Sequence, residues 1–192
     1  MNIVFDSGES IRIHYDIFLN NGLRRGDDLS SEAAASLLNQ SDLLYAKESA
    51  LRILGLRSHS IKELNRKLLR KQYNKDLIEQ VIDDLCNAGY LDDAVFTRQF
   101  AHEKLMRKNG IQKIKNDLIS KGVSREIINQ VLAGIDDTQE RENAVNLAIR
   151  KAGQLKVRGI ESDKVKQKVY AFLISKGYGY DMVRSIIDEM LF

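Results

Sequence analysis

The residues in this sequence most able to do chemistry are basic side chains gathered into three stretches, and that chemistry is the binding of anions. Between Ile61 and Lys75 stand six bases and one acid, Glu63. Arg98 to Lys121 holds seven bases against Glu103 and Asp117, and Arg150 to Lys176 holds eight bases against two acids. Each stretch is followed by an acidic one. Asp76 to Asp93 has six acids and no Lys or Arg, Gly122 to Glu140 has four acids against Arg125, and the residues beyond Lys176 are net negative. The overall charge of +3 conceals this alternation. A face carrying such bases suits nucleic-acid phosphate or an acidic protein groove.

Other residue types offer no reaction centre. His14, His59 and His102 are far apart and Cys86 has no second cysteine, so neither a metal site nor a cofactor is expected. The histidines read as structural or surface residues, and Cys86, beside Leu85, as a buried structural thiol. The carboxylate pairs Asp27-Asp28, Asp83-Asp84, Asp92-Asp93 and Asp136-Asp137 fall at helix caps or on acidic faces, where capping explains them without acid–base catalysis. Gly177-Tyr178-Gly179 joins two predicted helices and lacks the rest of a nucleotide fingerprint. With no nucleophile, base and orienter assembled, the chain reads as a non-enzyme.

The elements that must hold the bases follow from an internal repeat. At an offset of fifty, Ile61 pairs with Ile111, Leu64 with Ile114, Leu68 with Leu118, Lys71 with Lys121, Ile78 with Ile128 and Val81 with Val131. At a further offset of fifty-five, Leu118 to Gly122 recurs as Leu173-Ile174-Ser175-Lys176-Gly177. Such periods mark repeat architectures that bury apolar faces partly against neighbouring units. With no proline in 192 residues, helices run until glycine or a polar cap ends them. Ser60-Ile61-Lys62-Glu63 is a capping box, and Asn74 and Ser124 sit as caps fifty residues apart. Another capping-box spacing, Asp137-Thr138-Gln139-Glu140, opens the third repeat, and extra residues around Gly153 to Gly159 account for its longer offset.

The expected fold is all-α: tandem three-helix repeats in an elongated array, preceded by a small N-terminal β-hairpin segment. The hairpin is read from Ile3-Val4-Phe5, a turn at Asp6 to Glu9, and the alternation of Ile11, Ile13 and Tyr15 with Arg12 and His14. A two-stranded ribbon is marginal in water, so it needs a neighbouring element or a further strand ahead of Met1. Residues 1–41 form this segment with a short helix from Ser30 to Asn39, and repeats follow over 42–91, 92–136 and 137–192.

On a helical wheel, Ile61, Leu64, Leu68 and Leu69 take one side, while Lys62, Arg66, Lys67, Arg70 and Lys71 fill the other. Arg98, Lys104, Arg107, Lys108, Lys113, Lys121, Lys168 and Lys176 are the corresponding candidates farther on, and units stacked alike would align them as a basic strip. Lys71, Lys121 and Lys176 also lie in the last turn of their helices, where a cation complements the helix dipole. No apolar run reaches the ~18 residues of a spanning helix and the N-terminus lacks a signal-peptide layout, so a soluble cytoplasmic protein is expected, away from membranes.

Gly89-Tyr90-Leu91-Asp92-Asp93, followed by Phe96, Gly110 and Lys121-Gly122-Val123, resembles the RecX family of recombination regulators. So does the end, where Ala148 and Lys151 precede Lys168-Val169-Tyr170-Ala171-Phe172-Leu173-Ile174-Ser175-Lys176-Gly177-Tyr178. The likeness covers about residues 42 to 192, and Gly22 to Asp27 is similar to one branch of the family. Thr97 departs from it, since the family usually has alanine there. The resemblance implies a monomeric regulator of homologous recombination, DNA repair and the SOS response. Such a protein binds the RecA recombinase filament on single-stranded DNA and inhibits ATP hydrolysis, strand exchange and filament growth. The residues carrying the resemblance read as turns, caps and core, so the basic contact candidates rest on charge pattern. The alternative is an autonomous nucleic-acid-binding helical repeat protein. Against it, the helices that would read bases follow the basic ones and fall in acidic stretches.

Overall fold

A computed structural model describes residues 1–190, which fall into two compact units, residues 1–92 and the chain from Asp93 onward. The first begins with an antiparallel ribbon, β1 (Asn2–Val4) and β2 (Ser10–Arg12), in the register Asn2↔Arg12, Ile3↔Ile11 and Val4↔Ser10. Helices α1 (Tyr15–Asn20), α2 (Ser31–Leu54), α3 (Ile61–Arg70) and α4 (Lys75–Asn87) follow. The ribbon finds its neighbour in α2. Ile13 is fully buried, the His14 amide donates to Ser41 Oγ at 2.6 Å, and the Tyr45 hydroxyl donates to the Ile13 carbonyl at 3.2 Å.

This docking explains why α2 is longer than its sequence predicts. The polar run Asn39-Gln40-Ser41-Asp42 reads as a break between a short helix and the next, yet one helix continues through it, with Ser41 buried to receive the ribbon. Beyond that point α2, α3 and α4 enclose a core of Ala46, Ala50, Leu64, Leu68, Ile78, Val81 and Leu85. Each fully buried leucine stabilises the unit by roughly 1.5–3 kcal/mol. Cys86 is half-buried at the edge of this core. His59 is buried, and desolvation lowers its pKa, so the neutral ring donates from Nδ1 to the Arg57 carbonyl at 2.8 Å.

The capping box forms as the sequence predicts. Glu63 N donates to Ser60 Oγ at 3.1 Å, and Ser60 N reaches Glu63 Oε2 at 3.4 Å. Asn74 likewise caps α4 through Asp76 N. Replacing Ser60 by Ala should therefore lower stability by about 1 kcal/mol in urea unfolding, with the helix otherwise intact. An unchanged midpoint would show that Glu63 and solvent suffice at that helix start.

Among its described residues the second unit contains six helices in two sets of three: α5 (Asp93–Met106), α6 (Ile111–Lys121) and α7 (Arg125–Leu132), then α8 (Asp137–Val157), α9 (Ser162–Lys176) and α10 (Tyr180–Glu189). Phe96, Ala101, Ile114, Leu118, Val123 and Ile128 form one core; Ala144, Ala148, Val165, Val169, Leu173 and Val183 form the other. Phe96 and Phe100 stack with centroids 5.8 Å apart, as their spacing of four predicts. Thr97 is fully buried, and its hydroxyl donates to the Asp93 carbonyl at 2.6 Å within its own helix. Ser124 caps α7 through Ile127 N.

The longer third offset comes from helix rather than loop. α8 has 21 residues against 14 in α5, and α9 has 15 against 11 in α6, so Gly153 lies inside α8. The predicted capping box there is also replaced. Asp136 is the cap, accepting from Thr138 N and Oγ1, which holds its carboxyl below the usual range. Glu140 lies one residue past the position a capping box requires and reaches another helix instead.

That helix is α6, whose cap position is Gly110, a residue with no side chain to accept a hydrogen bond. Three acceptors from elsewhere serve its first amides. Gly110 N donates to the Lys176 carbonyl at 2.9 Å, Gln112 N to the Gly177 carbonyl at 3.0 Å, and Ile111 N to Glu140 Oε1 at 2.7 Å. The orphan carbonyls at the end of α9 and the orphan amides at the start of α6 thus satisfy each other. Tyr178, buried, closes the joint by donating from its hydroxyl to the Lys108 carbonyl at 3.0 Å. Burial, helped by the Glu140 charge, pushes its pKa far upward.

Candidate interaction surface

The bases sort by what lies beside them. On α3, Lys62, Arg66 and Arg70 are exposed at intervals of four, a single stripe opposite buried Leu64 and Leu68. Lys71, at the end of the helix, is exposed, while Lys67 is half-buried. Fifty positions later the stripe becomes Gln112, Asn116 and Ser120, so it does not repeat. In the second unit the shared positions are Lys113 and Lys121 on α6 and Lys168 and Lys176 on α9. The copies agree in sign while using different stripes.

Several of these lysines lie over aromatic rings. Lys121 Nζ is 5.9 Å from the Phe96 centroid and 5.3 Å from that of Phe100, and Lys104 Nζ is 5.0 Å from the latter. Lys176 Nζ stands 5.8 Å from the Phe172 ring and Lys151 Nζ 5.3 Å from it. All four lysines are half-buried, so each such contact contributes about 0.5–2 kcal/mol. The dipole-complementing reading of Lys121 and Lys176 therefore gains a second structural role. Ala46 and Ala50 stand fifty positions before Phe96 and Phe100 and offer Lys71 no ring there.

Lys104 pairs with Asp117 at 3.2 Å and Arg107 with Glu103 at 2.7 Å. The first pair is half-buried and the second exposed; an exposed pair is worth about 0.2–1 kcal/mol, weak enough to yield to a partner's carboxylates. Lys108, Lys113 and Lys176 are brought together through their backbones at the α6–α9 joint, where the Gly177 α-carbon packs on Lys113. Arg98 and Lys168 are exposed on α5 and α9. The acids sort less cleanly by helix than by stretch: α7 holds only Glu126 against Arg125, and its neighbours Asp136, Asp137 and Glu140 belong to the start of α8.

Sequence reasoning overlooked Arg150 and Lys151 as contact candidates. The signal was present: from Asn143 to Ile160 there is no acid, while Arg150, Lys151, Lys156 and Arg158 are all basic. With Leu147, Gln154, Phe172 and Lys176, Arg150 and Lys151 line a shallow groove of about 270 Å³. Among the described residues, no three His, Cys, Asp or Glu side chains converge as a metal site, and no helix is long and apolar enough to cross a membrane.

Comparison with known proteins gives this arrangement a family. Residues 46–85 match the first three-helix domain of RecX, 92–132 the second and 138–187 the third. The regulatory protein RecX of Clostridium botulinum (strain Alaska E43 / Type E3) is 31% identical over 191 residues, covering 100% of this chain and 90% of the relative. That of Clostridioides difficile (strain 630) is 29% identical over 192 residues, covering 100% and 89%. A crystal structure of regulatory protein RecX matches with a TM-score of 0.78 at 20% identity, over 98% of this chain and 92% of that one. A crystal structure of RecX from Lactobacillus salivarius matches with a TM-score of 0.70 at 24% identity, over 77% and 96%. The structures support the fold of tandem three-helix sets, and the domain matches and full-length relatives establish the lineage: this chain belongs to the RecX family of regulatory proteins.

Proposed function

We infer that the chain is a monomeric, cytoplasmic regulator of homologous recombination and DNA repair. It binds the RecA filament on single-stranded DNA and lowers ATP hydrolysis, strand exchange and filament growth. The observation that carries this reading is the recurrence of bases on α3, α6 and α9 of a chain belonging to a family of regulatory proteins. The test is hydrolysis of ATP by RecA on single-stranded DNA, with and without an equimolar amount of this chain. Hydrolysis should fall; an unchanged rate at saturating protein overturns the proposal.

The stripe Lys62, Arg66 and Arg70 supplies the residue-level test. Changing all three to Glu should weaken inhibition about fivefold, because opposite charge now faces the partner. Thermal unfolding should stay within about 0.5 kcal/mol of the parent, as expected for exposed positions. Inhibition of parental strength would make the stripe a solvated face. Autonomous DNA binding is less favoured, since α4 and α10, which would read the bases, carry net negative charge.

A further inference from the structure

On the outer side of α8, Ile149, Gly153 and Val157 follow one another at intervals of four, opposite the buried row Ala144, Ala148 and Ala152. Ile149 is 57% exposed and Val157 90% exposed, although both are large and apolar. Beside them runs a second row, Arg150, Gln154 and Arg158, and Arg150 and Gln154 also border the groove over Phe172. Apolar row, basic row and groove thus form one continuous surface within the third helix set. No acid lies in the sequence from Asn143 to Ile160 to neutralise it.

Gly153 adds an independent observation. Glycine inside a helix is less favourable than alanine, and a Cβ built at Gly153 meets nothing within 4 Å. Packing among the described residues therefore gives no reason for a glycine there. The missing side chain leaves a notch between Ile149 and Val157 into which the backbone of another molecule can settle.

We propose that this face of α8 is a docking site for an acidic protein segment bearing apolar side chains. The segment's carboxylates meet Arg150, Lys151 and Arg158, its apolar groups cover Ile149 and Val157, and its backbone lies against Gly153. A single-stranded nucleic acid fits less well. Stacking needs an open aromatic face, and the Phe172 ring already carries the Lys151 and Lys176 ammonium groups. The exposed isoleucine and valine call for apolar contact that phosphate and sugar do not supply. The inference rests on the reading above, in that the segment belongs to the recombinase filament, and it places the contact on α8 of the second unit.

The test uses the full chain, fluorescently labelled, titrated against RecA filaments assembled on oligo-dT and, separately, against oligo-dT alone. The variant I149E/V157E should bind filaments at least tenfold more weakly. Gly153→Leu, which fills the notch with a good helix former, should do the same without lowering the melting temperature. Gly153→Ala should raise the melting temperature by a few degrees, showing that the glycine is not retained for folding. Filament affinities equal to the parent's overturn the docking site and leave the proposed function standing. Variants weakened for oligo-dT alone overturn it in favour of nucleic acid. A parent chain that melts normally yet fails to bind filaments overturns the functional reading, and this inference with it.

Discussion

Replacing Gly110 by Ala should destabilise the second unit by about 3 kcal/mol, the upper end of the overpacking range, because the added carbon meets backbone rather than a side chain that can turn away. A Cβ on Gly110 would stand 2.2 Å from the Gly177 carbonyl oxygen and 2.4 Å from the Tyr178 nitrogen. Relief requires the end of α9 to withdraw, breaking the bonds from Gly110 N and Gln112 N. Gly177 is constrained twice: its φ of 89° lies in the left-handed region, and its own Cβ would stand 2.3 Å from Lys113 Cβ. Gly179 is the control, since its φ is −65° and no described residue lies within 4 Å of a Cβ built there. Urea unfolding should show Gly179→Ala losing no more than about 1 kcal/mol, the gap between glycine and alanine at a helix cap and well short of the loss at Gly110. If Gly110→Ala unfolds at the parental midpoint, the close approach of α6 and α9 is wrong.

Truncating Glu140 to Ala should destabilise the same unit by about 1–3 kcal/mol, the cost of leaving the Ile111 amide without its acceptor in a buried place. Replacement by Gln has a different sign. Desolvation is the main cause that raises the Glu140 pKa, with the Asp137 charge adding to it and the Ile111 hydrogen bond opposing it. The folded protein therefore takes up a proton at higher pH than the unfolded chain does. Its contribution to stability is fully present below the ordinary carboxylate pKa and is lost as pH rises through the raised value. The amide of Glu140→Gln keeps an acceptor for Ile111 N and carries no charge, so this variant should match or exceed the parent at pH 7. The difference between the two should close as pH falls toward the ordinary carboxylate range. Urea unfolding at pH 5 and pH 7 measures this, and a parent that gains stability relative to Glu140→Gln as pH rises over that interval contradicts it.

Local rules made most of the helices legible. Ser60, Asn74 and Ser124 cap where their residue types predict, and Gly122 and Gly177 end their helices with positive φ. The fifty-residue register identifies the buried pairs Leu64 with Ile114 and Leu68 with Leu118 because core spacing is a property of each helix by itself. What could not be read depends on partners distant in sequence. Ser41 resembles a helix break until the ribbon donates to it, and Glu140 resembles a capping-box acid until Ile111 stands before it. The candidate surface divides in the same way. The exposed stripe of α3 follows from a helical wheel, whereas the placement of Lys121 over Phe96 and Phe100 needs the packing of α6 on α5.

The joint between α6 and α9 also bears on the order in which the molecule can be completed. Residues 111–121 leave the ribosome well before Lys176 and Gly177, whose carbonyls receive two of the first amides of that helix. Until the later residues emerge, α6 has its apolar face but an unfinished beginning. Residues 1–92 need nothing synthesised after them to fill their core. The nascent chain thus closes its first unit early and holds its second open until Lys176 and Gly177 have emerged, since contacts so far apart in sequence must wait for both ends.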